Sequence, residues 1–207
     1  MNFPRFYPII DTARLSQAGV DPADLAEALA VAGVQIAQYR HKGEFTREKF
    51  AEAEQVGDIL QRAGVKFIVN DRADIALMLQ ADGVHLGQDD LPPSAVRRIV
   101  GDRLLIGFST HNPQQLLAAD GEPVDYLAIG PIFATGSKQN PDPVVGTTGL
   151  ARVRALTSKP LVTIGGLTRA NARQTLEAGA DSVAVISDLF DADQRSTASE
   201  WIAITGP

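Results

Sequence analysis

The sequence has no cysteine, no apolar segment near the roughly 18 residues of a membrane span, and fewer basic than acidic side chains. Without cysteine, neither a disulfide nor a thiolate metal site can form. The start MNFPRFYPII has no extended apolar run after a basic residue, so no signal peptide is predicted. With 19 basic and 25 acidic residues the formal net charge is −6, which argues against non-specific nucleic-acid binding. We therefore expect a soluble, cytoplasmic protein with no membrane or nucleic-acid partner.

Short β-rich runs alternate with longer amphipathic stretches along the chain. Val and Ile dominate the runs, which are mostly apolar on both faces, as in parallel strands covered by helices. The runs are RFYPIID (5–11), VQIAQYR (34–40), VKFIVN (65–70), GVHLG (83–87), LLIGFS (104–109), VDYLAIG (124–130), PLVTIGG (160–166) and SVAVIS (182–187).

Residues that start and stop helices fall between these runs. Capping side chains precede the predicted helices, and glycines follow them. The predicted start and stop pairs are Asp21 and Gly33, Thr46 and Gly64, Asn112 and Gly121, and Thr168 and Gly179.

Eight strands, each followed by a helix-like segment, indicate a (β/α)₈ TIM barrel, an α/β fold, as one compact domain over residues 1–207. An open doubly wound sheet ranks second, because no Gly-rich dinucleotide fingerprint follows the first strand. SKQNPDPVVGTTG (137–149) is predicted to be the longest structureless loop, either an active-site lid or a surface loop.

The second predicted strand turns from apolar to cationic along one face. With a period of two, Val34, Ile36, Gln38, Arg40 and Lys42 share that face. Active sites of this fold lie at the carboxyl ends of the strands, so the polar half of the stripe predicts a site there. The alternative is a strand that simply leaves the barrel and meets solvent.

Four further strand ends carry polar residues, and their joint placement favours a site. Each residue also has a plainer interpretation: Asp71 could cap a helix, and His85 is more typical of a hydrogen-bonded core histidine. The polar residues are Asn70, Asp71, His85, Gln88, Asp89, Asp90, Ser109, Thr110, His111, Thr135, Ser137 and Lys138.

These side chains suit a metal-bound diphosphate. Arg40, Lys42 and Lys138 match phosphate oxygens, and Asp71 and Asp90 are the hard oxygen ligands that Mg²⁺ uses beside substrate phosphates. The structural alternative is that the two acids merely pair with Arg40 and Lys42.

A second phosphate site is predicted after the seventh and eighth strands, where this fold commonly binds phosphate. Gly166 lets backbone N–H groups approach an anion, and Ser187 adds a hydroxyl near a helix start at Asp188. Glycines used only for a tight turn are the alternative. Two anion sites at one mouth suggest the joining of two phosphorylated small molecules.

Seven motifs together resemble the successive signatures of the thiamine phosphate synthase family. QYRHK, NDRADIA, GVHLGQDDLP, GFSTH, GPIFATGSK, VTIGGL and AVIS occur in the family's order from the second strand to the eighth. The resemblance implies a Mg²⁺-dependent transferase in a (β/α)₈ barrel. Such an enzyme joins 4-amino-2-methyl-5-hydroxymethylpyrimidine pyrophosphate to 4-methyl-5-(2-phosphoethyl)thiazole, or its carboxylated form, and releases pyrophosphate through a carbocation-like displacement.

The resemblance also implies roles for individual residues. Arg40, Lys42, Ser109 and Lys138 would be catalytic, and Asp71 and Asp90 would bind the metal. The implied substrate-binding residues are Gln38, Arg40, Lys42, Asn70, Ser109, Thr135, Ser137, Lys138, Gly166, Ile186 and Ser187.

The chain departs from the family at one loop, and rival functions share the barrel. The family commonly has Pro-Thr-x-Thr-Lys where residues 134–138 are Ala-Thr-Gly-Ser-Lys, which keeps the hydroxyl at Ser137 but loosens the loop. A thiazole tautomerase, a non-catalytic sensor of phosphorylated vitamin precursors and a phosphosugar isomerase or aldolase are the alternatives. A homo-oligomer is left open.

Overall fold

The computed structural model describes residues 3–135, 142–190 and 193–206, in which eight parallel strands close into a barrel. Each strand pairs with the next along the chain, and the last pairs with the first through Phe6 opposite Val183. The predicted (β/α)₈ architecture is therefore confirmed. The strands are β1 (Phe6–Asp11), β2 (Ile36–Arg40), β3 (Lys66–Asn70), β4 (Gly83–Leu86), β5 (Leu105–Thr110), β6 (Tyr126–Ile129), β7 (Leu161–Ile164) and β8 (Ser182–Val185).

Helices cover the outside of the barrel. Asp21, Thr46 and Asn112 cap α2, α3 and α6 through their side chains, as predicted. The α-helices in the described ranges are α1 (Thr12–Ala18), α2 (Pro22–Ala32), α3 (Arg47–Arg62), α4 (Ala73–Met78), α5 (Pro93–Val100), α6 (Pro113–Asp120), α7 (Gly146–Arg154), α8 (Ala172–Glu177) and α9 (Gln194–Thr205). No helix in these ranges is long and apolar enough to cross a membrane.

Two local predictions about helix starts were wrong. Thr168 does not cap α8: Asn171 precedes that helix, and its side chain accepts a hydrogen bond from the Thr168 amide at 2.8 Å. The predicted loop over 137–149 is too long, because α7 already begins at Gly146, and residues 136–141 lie outside the described ranges. A polar run with two glycines gave no helical period from which this start could be predicted.

Successive side chains along each strand point alternately into the barrel and outward towards the helices, as the strand period requires. Tyr7, Ile36 and Tyr126 belong to the inner apolar cluster, and Phe3 packs against that cluster. Val34 was predicted to share the inward stripe, but it precedes β2 and packs in the outer cluster between strands and helices. The stripe therefore begins at Ile36.

Three aspartates link neighbouring strands at the amino end of the barrel. Asp82, Asp125 and Asp181 each come directly before an even-numbered strand and accept a backbone N–H from the preceding odd-numbered strand. The donors are the amides of Phe67, Ile106 and Leu161, at 2.8, 2.7 and 2.8 Å. These lower-rim aspartates fix strand register at the end opposite the polar residues described next.

Candidate active site

Polar side chains from the carboxyl ends of the strands line one cavity of about 650 Å³. The eleven described residues to which the family resemblance assigns roles all line it: Gln38, Arg40, Lys42, Asn70, Asp71, Asp90, Ser109, Thr135, Gly166, Ile186 and Ser187. Ser137 and Lys138, predicted beside them, lie outside the described residues. The cavity brings the described residues together, while their roles remain predictions.

Arg40 lies at the end of β2 and forms an ion pair with Asp11 at the end of β1. The Asp11 side chain is 4% exposed and the Arg40 side chain 25%. Asp11 also accepts the Arg14 amide at 3.0 Å as the N-cap of α1. Asp11 was not predicted as a site residue, because an acid followed by threonine at a strand end indicates a helix cap rather than a partner for an arginine.

Lys42 and two acids form a second charged group on the other side of Arg40. Lys42 Nζ contacts Asp71 Oδ2 at 2.6 Å. Burial raises the pKa of Asp71; the Lys42 ammonium opposes this rise and the neighbouring Asp90 carboxylate adds to it. Asp71 also has a left-handed backbone, with φ of +64°, which aspartate tolerates better than most residues. Lys42 pairs with Asp71 alone among the described side chains, so the adjacent Asp90 carboxylate adds negative charge that a cation could balance.

The backbone holds Asp90 in place. Its Oδ2 atom accepts the Gly87 amide at 2.7 Å, and a Cβ on Gly87 would lie 3.2 Å from that oxygen. The described residues contain no cluster of three or more His, Cys, Asp or Glu side chains fit to hold a metal. Asp71 and Asp90 thus supply two carboxylates, the number typical of Mg²⁺ sites completed by substrate phosphates and water.

Two amide side chains lie deeper in the cavity. Asn70 is buried, and its Nδ2 atom has no hydrogen-bond partner among the described residues. A buried donor without a partner is costly, which is consistent with a ligand acceptor at this point. Gln38 is also buried, and its Nε2 atom donates to Tyr7 OH at 3.1 Å.

His85 is the hydrogen-bonded interior histidine that its isolated position suggested. Nδ1 lies 3.0 Å from Tyr126 OH, and Nε2 lies 2.8 Å from Ser109 Oγ. Burial lowers the pKa of His85 to about 4; Asp90 partly offsets this, and Lys42 adds to the lowering. The imidazole is therefore neutral near pH 7, with one donor and one acceptor nitrogen.

The far side of the cavity is built on two glycines after β7. Gly165 and Gly166 both have left-handed backbones, with φ of +95° and +66°. A Cβ on Gly166 would lie 2.6 Å from the Ala134 carbonyl oxygen, and Asn171 Nδ2 donates to the Gly166 carbonyl at 2.9 Å. A side chain does not fit at Gly166, which lines the cavity together with Gly165 and Ser187.

Among the described residues that line the cavity, Asp188 is the one acid on this far side. Its carboxylate accepts from Arg169 Nε at 3.0 Å and from the Arg169 amide at 3.2 Å. Arg169 therefore offsets the charge of Asp188 next to Ser187, which lowers the repulsion that an incoming anion would meet.

Comparison with known proteins assigns the chain to a family. The family model described as thiamine monophosphate synthase matches residues 6–189. A thiamine-phosphate synthase of Koribacter versatilis is 49% identical across 99% of this chain and 97% of its own length. One of Chloroflexus aurantiacus is 44% identical across 96% and 90%.

Solved structures agree with the sequence comparison. Thiamine phosphate pyrophosphorylase from Pyrococcus furiosus superimposes with a TM-score of 0.87 at 31% identity, over 99% of this chain and 96% of that chain. A 3-hexulose-6-phosphate synthase, with a TM-score of 0.71 at 15% identity, shares the fold alone.

Proposed function

Because the chain belongs to the thiamine monophosphate synthase family and is a transferase that forms thiamine phosphate with release of pyrophosphate, we propose which substrates it joins. They are hydroxymethylpyrimidine pyrophosphate and the thiazole phosphate, or its carboxylated form. The observation that carries this proposal is one cavity with a cationic and acidic group on one side and a glycine-lined wall on the other.

The pyrophosphate binds on the cationic side. Arg40 offers several donors in a planar fork, of which one is used by Asp11, and Lys42 offers a compact ammonium. Gln38 and Asn70, deeper in the barrel, contact the pyrimidine end of the same substrate. Lys138, outside the described residues, is assigned to the pyrophosphate because it matches the family's loop.

Asp71 and Asp90 hold Mg²⁺ in this proposal. Their carboxylates fit the ion, because they are adjacent and because together they exceed the charge of Lys42. When bound, the ion offsets the negative charge of the pyrophosphate and makes it a better leaving group.

The thiazole phosphate binds against the glycine-lined wall. Gly166 and Ile186 leave main-chain groups available to the phosphate, and Ser187 adds its hydroxyl. Thr135 and Ser137 are assigned to the carboxylate and phosphate end of the thiazole. Of these two, Thr135 lines the described cavity.

The proposed reaction is dissociative. The pyrimidine carbon loses pyrophosphate first, the aminopyrimidine ring stabilises the carbocation, and the thiazole nitrogen then captures it. Such a nucleophile needs no general base, so Arg40, Lys42, Ser109 and Lys138 act by holding the leaving group and placing the two reactants.

A coupled assay of pyrophosphate release tests the proposed function. We expect release only when both substrates and Mg²⁺ are present, and loss of release on adding EDTA. Unchanged release in EDTA would contradict the metal assignment. Isomerisation of thiazole phosphate alone, without pyrophosphate release, would instead identify a tautomerase.

Replacing Gly166 with alanine is expected to raise KM for the thiazole phosphate about tenfold or more. The new Cβ would clash with the Ala134 carbonyl oxygen and so change the shape of the cavity wall. Gly19→Ala is the matched control. Gly19 has a similar φ of +68°, but a Cβ there meets nothing within 4 Å. If KM rose by the same factor in both variants, backbone strain rather than the shape of the cavity wall would be the cause.

We also propose that residues 1–207 form a single domain. The cytoplasmic location stays a prediction, and the oligomeric state stays open.

A further inference from the structure

A chain of hydrogen bonds crosses the barrel interior beneath the proposed site. Gln38 Nε2 donates to Tyr7 OH at 3.1 Å, and Tyr7 OH lies 2.9 Å from Tyr126 OH. Tyr126 OH lies 3.0 Å from His85 Nδ1, and His85 Nε2 lies 2.8 Å from Ser109 Oγ. We call these five side chains the interior relay. It joins Gln38 and Ser109, two residues that face the cavity from opposite sides.

The fold makes room for the relay and closes it from below. A Cβ on Gly107 would lie 2.0 Å from Tyr126 Cζ, so β5 can pass Tyr126 only with glycine at this position. The Phe3 ring packs 4.9 Å from the Tyr126 ring at the amino end of the barrel. Tyr7 and Tyr126 are both buried, so each hydroxyl must donate its one hydrogen bond to another member of the relay.

We propose that the interior relay has one fixed direction, from Gln38 to Ser109. Tyr7, Tyr126 and His85 are then positioning residues that keep the Ser109 hydroxyl proton pointed into the cavity. This assignment rests on the proposed function, in which Ser109 faces the leaving pyrophosphate.

The direction follows from counting donors. The Tyr7 hydroxyl accepts a hydrogen bond from Gln38 and so donates one to the Tyr126 hydroxyl. The Tyr126 hydroxyl in turn donates a hydrogen bond to Nδ1 of His85. A neutral imidazole with Nδ1 as acceptor carries its proton on Nε2, and it donates that proton to Ser109 Oγ. Ser109 then has its own proton left for a ligand.

The opposite direction conflicts with an anionic ligand. It requires the Gln38 side-chain amide to be flipped, so that Tyr7 donates to the amide oxygen. The donor and acceptor of every later hydrogen bond in the relay are then exchanged. Ser109 would then give its proton to His85 and present lone pairs to the cavity. The positive charges of Arg40 and Lys42 favour an anionic ligand at this end of the barrel, and the lone pairs of Ser109 would repel its phosphate oxygens.

The tautomer of His85 tests the direction without substrate or mutation of the relay. The chain has three histidines, so His41→Gln and His111→Gln variants assign the ring signals. We expect ¹⁵N NMR of histidine-labelled protein, with and without Mg²⁺ and inorganic pyrophosphate, to show His85 protonated on Nε2. Protonation on Nδ1 would overturn the proposal, and it would do so whether or not the proposed reaction is correct.

A double-mutant cycle tests whether the relay acts through Ser109. We expect Tyr126→Phe to lower kcat by up to about tenfold, the upper end of the range for one hydrogen bond, with KM for the thiazole phosphate changed less than about twofold. Because the relay ends at Ser109, Tyr126→Phe should cost nothing more in a Ser109→Ala background. Effects that multiply would overturn the proposal.

Tyr39→Phe is the matched control for this cycle. Tyr39 is a buried tyrosine whose hydroxyl donates to Glu52 at 2.7 Å, outside the relay. We expect its kcat to match that of the parent. A loss equal to that of Tyr126→Phe would mean that removing any buried hydroxyl has this effect, and the relay would not be needed to explain it.

Discussion

Replacing Asp71 with asparagine is expected to lower turnover about a hundredfold while the barrel stays folded. Asparagine keeps the shape of the side chain, can still accept from Lys42 and tolerates the left-handed backbone at this position. It removes the charge that, in our proposal, binds Mg²⁺. Pyrophosphate release titrated with Mg²⁺ measures the loss, and thermal unfolding checks the fold.

Asp74→Asn is the control for this variant. Asp74 lies one turn along at the start of α4, where its carboxylate pairs with Arg72 at the surface rather than with the cavity residues. The same chemical change there should leave turnover within about twofold of the parent. Equal losses at both positions would contradict the assignment of Asp71 as a metal ligand, as would normal turnover of Asp71→Asn.

Replacing Arg40 with methionine is expected to lower both turnover and stability. Turnover falls by about a hundredfold or more, because the planar phosphate clamp is lost. The free energy of unfolding falls by about 3 kcal/mol, because Asp11 is left buried without its partner. This is the lower end of the range for broken buried pairs, since Arg40 is partly exposed. Urea unfolding and the pyrophosphate assay give the two values.

A second substitution separates these two effects. Asp11→Asn in the Arg40→Met background removes the unpaired charge but keeps an oxygen to cap α1. We expect most of the lost free energy of unfolding to return, while turnover stays low. If turnover returned as well, the role of Arg40 would be only to hold Asp11, and its assignment as a phosphate clamp would be wrong.

Periodicity and capping were sufficient to predict the architecture. All eight apolar runs became strands, because a barrel strand covered on both faces must be apolar throughout. The stripe through Ile36, Gln38 and Arg40 placed the cavity correctly, since alternation fixes which residues point inward and the fold fixes which end is open.

Partners across the barrel could not be predicted in the same way. The Arg40–Asp11 pair depends on the register of β1 against β2, in which Asp11 lies opposite Arg40. Tyr7 and Tyr126 meet only because the closed barrel brings β1 and β6 together at its centre. Both contacts join residues far apart in sequence, so local propensity carries no signal for them.

The lower-rim aspartates bear on the order in which the protein folds. Each joins two strands that are close in sequence, with donor and acceptor 15, 19 or 20 residues apart, whereas the β1–β8 seam joins the two ends of the chain. Short loops close at lower entropic cost. Strand pairs β3–β4, β5–β6 and β7–β8 should thus assemble before the seam, and pulse-labelled hydrogen exchange with simultaneous protection throughout would refute this.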